Sequence, residues 1–142
     1  MEVPPLLVQT AGSLVAILAL ARLARWMKLG GAPRLDSADA VRRAAGEVED
    51  GFAAVVTTQD SRGLAALARN TEGRIMVIKR HGNRFAGRVL GPQAEARLWR
   101  DHSGPTLEVD CGEARFGKVV LEIPDAEAWA DAINQVNPTR DA

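Results

Sequence analysis

From Val3 to Ala21 the chain runs for 19 residues without a charge (VPPLLVQTAGSLVAILALA). A helix of that length spans roughly 28 Å, close to the hydrocarbon thickness of a bilayer. Pro4 and Pro5 suit the first turn of a helix, where a missing N–H costs nothing. Gln9, Thr10, Gly12 and Ser13 dilute the apolar run. Arg22, Arg25, Trp26 and Lys28 follow at once, and cations with a tryptophan are what a membrane–water boundary favours. The pattern predicts a transmembrane anchor helix over residues 1–29 and a Gly/Pro linker over residues 30–35. Cations on this side of the span predict a protein of the inner membrane, its N-terminus outside and the rest of the chain in the cytoplasm, close to the lipid headgroups. Two other readings stay open. Ala19-Leu20-Ala21 resembles the cleavage site of a secretory signal, although such signals carry their cations before the apolar run. Arg22 and Arg25 also continue a helical pattern through Trp26 and Leu29, as in a surface amphipathic helix or a core helix. Gly12 and Ala16 form a small-xxx-small pair, a candidate contact for a homodimer.

Beyond Asp36 the apolar period is helical. Val41, Ala44, Ala45 and Val48 make one stripe, with Asp36 as the expected N-cap and Glu49-Asp50-Gly51 as the stop. After Gly51 the period changes to two. Strands are expected over 53–59, 64–69, 74–80, 84–90, 106–111 and 115–123, each bounded by Gly, Asn, Asp or Pro. Residues 95–100 (EARLWR) read as a strand or as one helical turn. Gly87 inside a strand signals a bulge or a close backbone approach. Pro124-Asp125 opens a last helix, apolar along Ala126, Trp129, Ala130, Ile133 and Val136 and ended by Asn137-Pro138. Helix, about seven short antiparallel strands, helix: this order predicts an α+β domain over residues 36–138, a meandering sheet or small barrel with a helical cap, and a tail over 139–142. No strand–helix–strand alternation indicates a parallel nucleotide-binding sheet.

Seven strands followed by an amphipathic helix that carries a tryptophan, over residues 52–136, resemble a pleckstrin-homology-like domain. PDAEAWADAINQV would be its helix, with Trp129 in the place of the family's helix tryptophan. The resemblance implies a barrel or sheet capped by that helix. It also implies a binding or scaffolding role, often toward lipid headgroups or peptides, rather than catalysis. The family's basic strand-turn tips grip anionic headgroups; the lysine then arginine-x-arginine triplet of its phosphoinositide-binding members is absent here.

Composition narrows the function further. A chain of 142 residues holds one ordinary domain and an appendage. Its 18 Lys+Arg balance 18 Asp+Glu, yet residues 1–34 carry a net +3 and the rest a net −3. That balance excludes a basic nucleic-acid coat, and a chain with no Tyr, three Phe and three Trp lacks a base-stacking platform. No nucleic-acid partner is expected. The 15 arginines against 3 lysines, with abundant alanine, read as a GC-rich bacterial genome. Cys111 is the one cysteine and His81 and His102 the two histidines, too few for a disulfide or a multi-cysteine zinc site. No cofactor or metal is expected, and no catalytic residue stands out. His81 and His102 fall in turns, Asp101-His102-Ser103 are sequence neighbours and so do not face one another as a triad does, and Cys111 shares an apolar face with Leu107 and Val109.

The candidate chemistry is a basic hairpin. Residues 74–88 hold five cations and no anion, with Lys79, Arg80 and Arg84 gathered at its tip around His81-Gly82-Asn83. These three read as contacts for an anionic lipid headgroup or as ordinary solvated charges. The expected function is a membrane-anchored binding or scaffolding module that contacts anionic lipid. The alternatives are an accessory subunit holding a protein partner, such as another membrane protein, and an enzyme of unknown type.

Overall fold

A computed structural model describes residues 2–27, 33–102 and 104–136. Lys28, the linker glycines Gly30 and Gly31, Ser103, the helix stop Asn137-Pro138 and the tail lie outside the described residues. The chain divides into two compact units after residue 32.

The first unit contains helix α1, Pro5–Trp26, of 22 residues, long and apolar enough to cross a membrane. Its apolar side chains surround the helix. The face that carries Gln9, Thr10 and Ser13 also carries Leu6, Ile17 and Leu20, so no polar stripe forms. The hydroxyls are satisfied within the helix: Thr10 Oγ1 donates to the Leu6 carbonyl at 2.8 Å and Ser13 Oγ to the Gln9 carbonyl at 3.0 Å. Such back-bonding removes the donors that hydrocarbon would leave unpaired.

The second unit opens with α2, Ala38–Val48. Its N-cap is Ser37, not Asp36. Ser37 is extended, and its hydroxyl accepts from Ala40 N–H at 3.1 Å, the reach that an N-cap side chain needs. Seven strands follow: β1 Ala54–Gln59, β2 Ala65–Asn70, β3 Ile75–His81, β4 Arg84–Val89, β5 Glu95–Asp101, β6 Gly104–Asp110 and β7 Lys118–Glu122. Helix α3 spans Ala126–Gln135. The strands form two antiparallel meanders, a four-stranded sheet β1-β2-β3-β4 and a three-stranded sheet β5-β6-β7, rather than one closed barrel.

One open reading is decided, and two strand starts move by two residues or more. Residues 95–100 are strand, paired with β6 from Glu95↔Asp110 to Asp101↔Gly104. Pro105 belongs to β6, where it pairs with Arg100 of β5; β7 ends at Glu122 opposite Thr106, so no β7 residue faces the proline. β7 begins at Lys118 because Gly117, at φ +79°, leaves the extended region.

The four-stranded sheet is covered on both faces. Ala65, Leu67, Ile75 and Val77 face the three-stranded sheet and α3, in a core with Leu107, Val109, Leu121, Trp129 and Ile133. On alternate positions Ala66, Ala68, Met76 and Ile78 face α2, in a core with Leu35, Val41, Ala45 and Phe52. Gly87 marks a close approach of α2, not a bulge, since β4 pairs with β3 without interruption. A Cβ at Gly87 would stand 3.0 Å from both Val48 methyls and 3.2 Å from the Val77 carbonyl. Gly87→Ala is therefore expected to cost about 1–3 kcal/mol, seen as a lower urea midpoint at unchanged slope. An unchanged midpoint would mean that Val48 gives way freely.

Candidate functional site

The β3–β4 hairpin turns on Gly82, at φ +65°, and separates the three tip cations. Lys79 alternates with Arg80, so the two point to opposite faces. The Lys79 ammonium donates to the Phe116 carbonyl and lies 4.4 Å from the centroid of the Phe116 ring, a cation–π contact. Arg88 stacks on the same ring at 5.1 Å and pairs with Glu113 at 2.8 Å. Lys79 is thus engaged toward the loop before β7. Arg80 is half-buried beside its cross-strand partner Phe85, on the α2 side. Arg84 is exposed and joins a different set of residues.

That set lines a cleft of about 590 Å³ between α2 and the hairpin tip, bounded by Pro33, Arg34, Ala40, Arg43, Ala44, Glu47, Asn83, Arg84 and Phe85. A packed neighbour positions each arginine. Arg34 precedes Leu35, which is fully buried and donates its N–H to the Gly63 carbonyl at 2.8 Å. Arg43 precedes Ala44 on the packed face of α2, and Arg84 precedes Phe85, packed against the α2 core. The three guanidiniums therefore sit on rigid backbone. Among the described residues none of them makes an ion pair, whereas Arg42, Arg62, Arg74, Arg88 and Arg97 each meet a carboxylate. Glu47 is the one acidic residue lining the cleft. Arg34 and Arg43 lie far from the basic hairpin in sequence, so no local charge run connects them to it.

Elsewhere charge is used for structure. Arg74 holds Glu49 through two hydrogen bonds of 2.9 Å, clamping the end of α2 to the start of β3; this pairing raises the pKa of Arg74. A second cleft of about 470 Å³ is lined by Arg34, Asp36, residues 57–63 and Pro124. Its buried carboxylate, Asp60, accepts from the Glu122 N–H at 2.8 Å and the Arg62 N–H at 3.3 Å. Cys111 is buried in the core between the sheets, and His81 and His102 are exposed in hairpins of different sheets. These three are not brought together. No cluster of three metal-ligating side chains occurs among the described residues.

Of the residues expected at a membrane boundary, Arg22, Arg25 and Trp26 lie in the last turn and a half of α1 and are exposed; Lys28 is outside the described residues. Comparison with known proteins returns no matching family model, no matching curated protein and no matching solved structure.

Proposed function

We propose that the chain is a single-pass membrane-anchored binding module of bacterial inner membranes. Helix α1 crosses the bilayer with its N-terminus outside, and the sheet domain binds a ligand at the cytoplasmic face without catalysing a reaction. The observation that carries this reading is α1 itself: 22 residues, apolar around its whole circumference, with its hydroxyls bonded internally and Arg22, Arg25 and Trp26 at one end. The domain resumes at Pro33, and Arg34 already lines the basic cleft. A helix in the bilayer holds such a domain at the headgroups, where each cation contributes roughly 1 kcal/mol of attraction to an anionic leaflet. The seven strands, in meanders of four and three, and the buried Trp129 on the terminal helix support the pleckstrin-homology-like resemblance, and with it a binding rather than a catalytic role. Docking of a protein partner is the second reading. Leu98 and Trp99, 46% and 55% exposed on the edge strand β5, favour it.

Carbonate extraction of membranes from the native host, followed by protease treatment of spheroplasts and of inverted vesicles, tests the anchor. The expected result is retention in the pellet, with the domain digested only in inverted vesicles. Release by carbonate, or a mature chain that begins after Ala21, would overturn it.

A further inference from the structure

We propose that the cleft between α2 and the β3–β4 tip is a binding site for a phosphate-bearing anion, gripped by Arg34, Arg43 and Arg84. The inference deepens the membrane reading by giving the module its ligand chemistry, and it rests on that reading only for where the ligand resides. Three observations carry it. The cleft, at about 590 Å³, has the size of a small-molecule site. Its three arginines come from three separate segments, the lead into α2, α2 itself and the start of β4, and each adjoins a residue packed in the α2 core, Leu35 and Ala44 buried and Phe85 partly buried. None of the three is neutralised by an ion pair among the described residues, although five other arginines of the domain are.

Guanidinium forks match the oxygens of phosphate in bidentate geometry. Three of them against Glu47 leave a net charge of +2, which suits a dianionic phosphomonoester or a pyrophosphate better than a single carboxylate. Glu47 stands one helical turn beyond Arg43 and would repel an anion seated farther along α2, so the phosphate belongs among the three arginines. Asn83 at the turn supplies a neutral amide donor. Arg34 and Arg43 lie outside residues 52–136, so two of the three arginines owe nothing to the segment that carries the family resemblance.

The source of the phosphate is either a lipid headgroup or a free phosphate compound, and one experiment separates them. Full-length protein in zwitterionic micelles is titrated with inorganic pyrophosphate by calorimetry. The same protein in nanodiscs of phosphatidylcholine, with or without phosphatidylglycerol, is followed by hydrogen exchange over residues 38–48 and 82–86. The paired variant Arg43→Gln/Arg84→Gln is compared with Arg69→Gln/Arg115→Gln, which removes the same charge from exposed positions outside the cleft. All proteins are first checked for an unchanged circular dichroism melt.

Pyrophosphate binding that weakens at least tenfold in the cleft variant, and much less in the control, supports the site. It does so whatever the fate of α1 in the carbonate test. Added protection in phosphatidylglycerol discs, lost in the cleft variant, assigns the phosphate to a headgroup; protection in neither disc, with pyrophosphate still bound, assigns it to a free compound. Absence of binding in both arms, or equal weakening by both variants, overturns the proposal.

Discussion

Replacing Trp129 with alanine is expected to remove about 3–5 kcal/mol of stability, out of the roughly 5–15 kcal/mol available to an ordinary domain. The indole is 5% exposed and packs in the core between the sheets with Leu107, Val109, Leu121 and Ile133. Helix α3 has 10 residues, too few to persist alone in water, and its packing on β5 and β6 is what keeps it helical. Losing the anchor therefore loosens the whole helix. The loss extends to Asn134, whose amide donates to the Ala96 carbonyl at 3.1 Å and accepts from the Ala96 N–H at 3.0 Å, covering part of the open edge of β5. Urea unfolding followed by far-ultraviolet circular dichroism measures the effect, and Trp129→Phe should restore about half of it. A midpoint unmoved by Trp129→Ala would remove α3 from the load of the core.

The second large effect is expected at Asp60, where Asp60→Ala should cost about 2–3 kcal/mol. The β1–β2 turn of one sheet meets the end of β7 of the other through this carboxylate. Oδ1 accepts the Glu122 N–H at 2.8 Å, and Oδ2 accepts the Arg62 N–H at 3.3 Å. Beside it, Ser61 N–H donates to the Glu122 carbonyl and Ser61 Oγ to the Glu122 carboxylate. Alanine leaves the Glu122 N–H without its acceptor in a place that water barely reaches. Asp60→Asn keeps one carbonyl oxygen and should cost about half as much. Equal stability of the two variants and the parent, in the same urea titration, would show that the sheets are held together by their apolar faces alone.

The strand succession was legible because each turn carries its own chemistry: Gly82-Asn83, Asp60 to Gly63, Gly91-Pro92. The double burial of the central strands was not. Alanines at 65, 66 and 68 carry no preference for either face, so LAALAR shows no alternation that would assign one side to a helix. Met76 and Ile78 read as one apolar face of β3, while Ile75 and Val77 make the other just as apolar. The ambiguity at 95–100 came from Leu98 and Trp99, which are exposed despite their size; pairing with β6 decides it. For the site, Arg84 was visible from the charge run, but Arg34 and Arg43 were not. They reach the cleft through the packing of α2 on the sheet, a tertiary event with no local signature. For Lys79 the surroundings were hidden for the complementary reason. Its place near the tip says nothing about Phe116, which a distant loop brings to it.

The sheet that carries a core on each of its faces also sets how the domain comes apart. Every strand pairs only with its neighbours in sequence, so each meander is assembled from short-range contacts that close quickly. Neither meander has dry surroundings until its faces are covered. Removing α2 would wet Met76 and Ile78 on the same strand whose Ile75 and Val77 hold the opposite core, and the ladder cannot fail on one side only. The two cores are therefore a single melting unit, and a lesion beneath α2 is felt at α3.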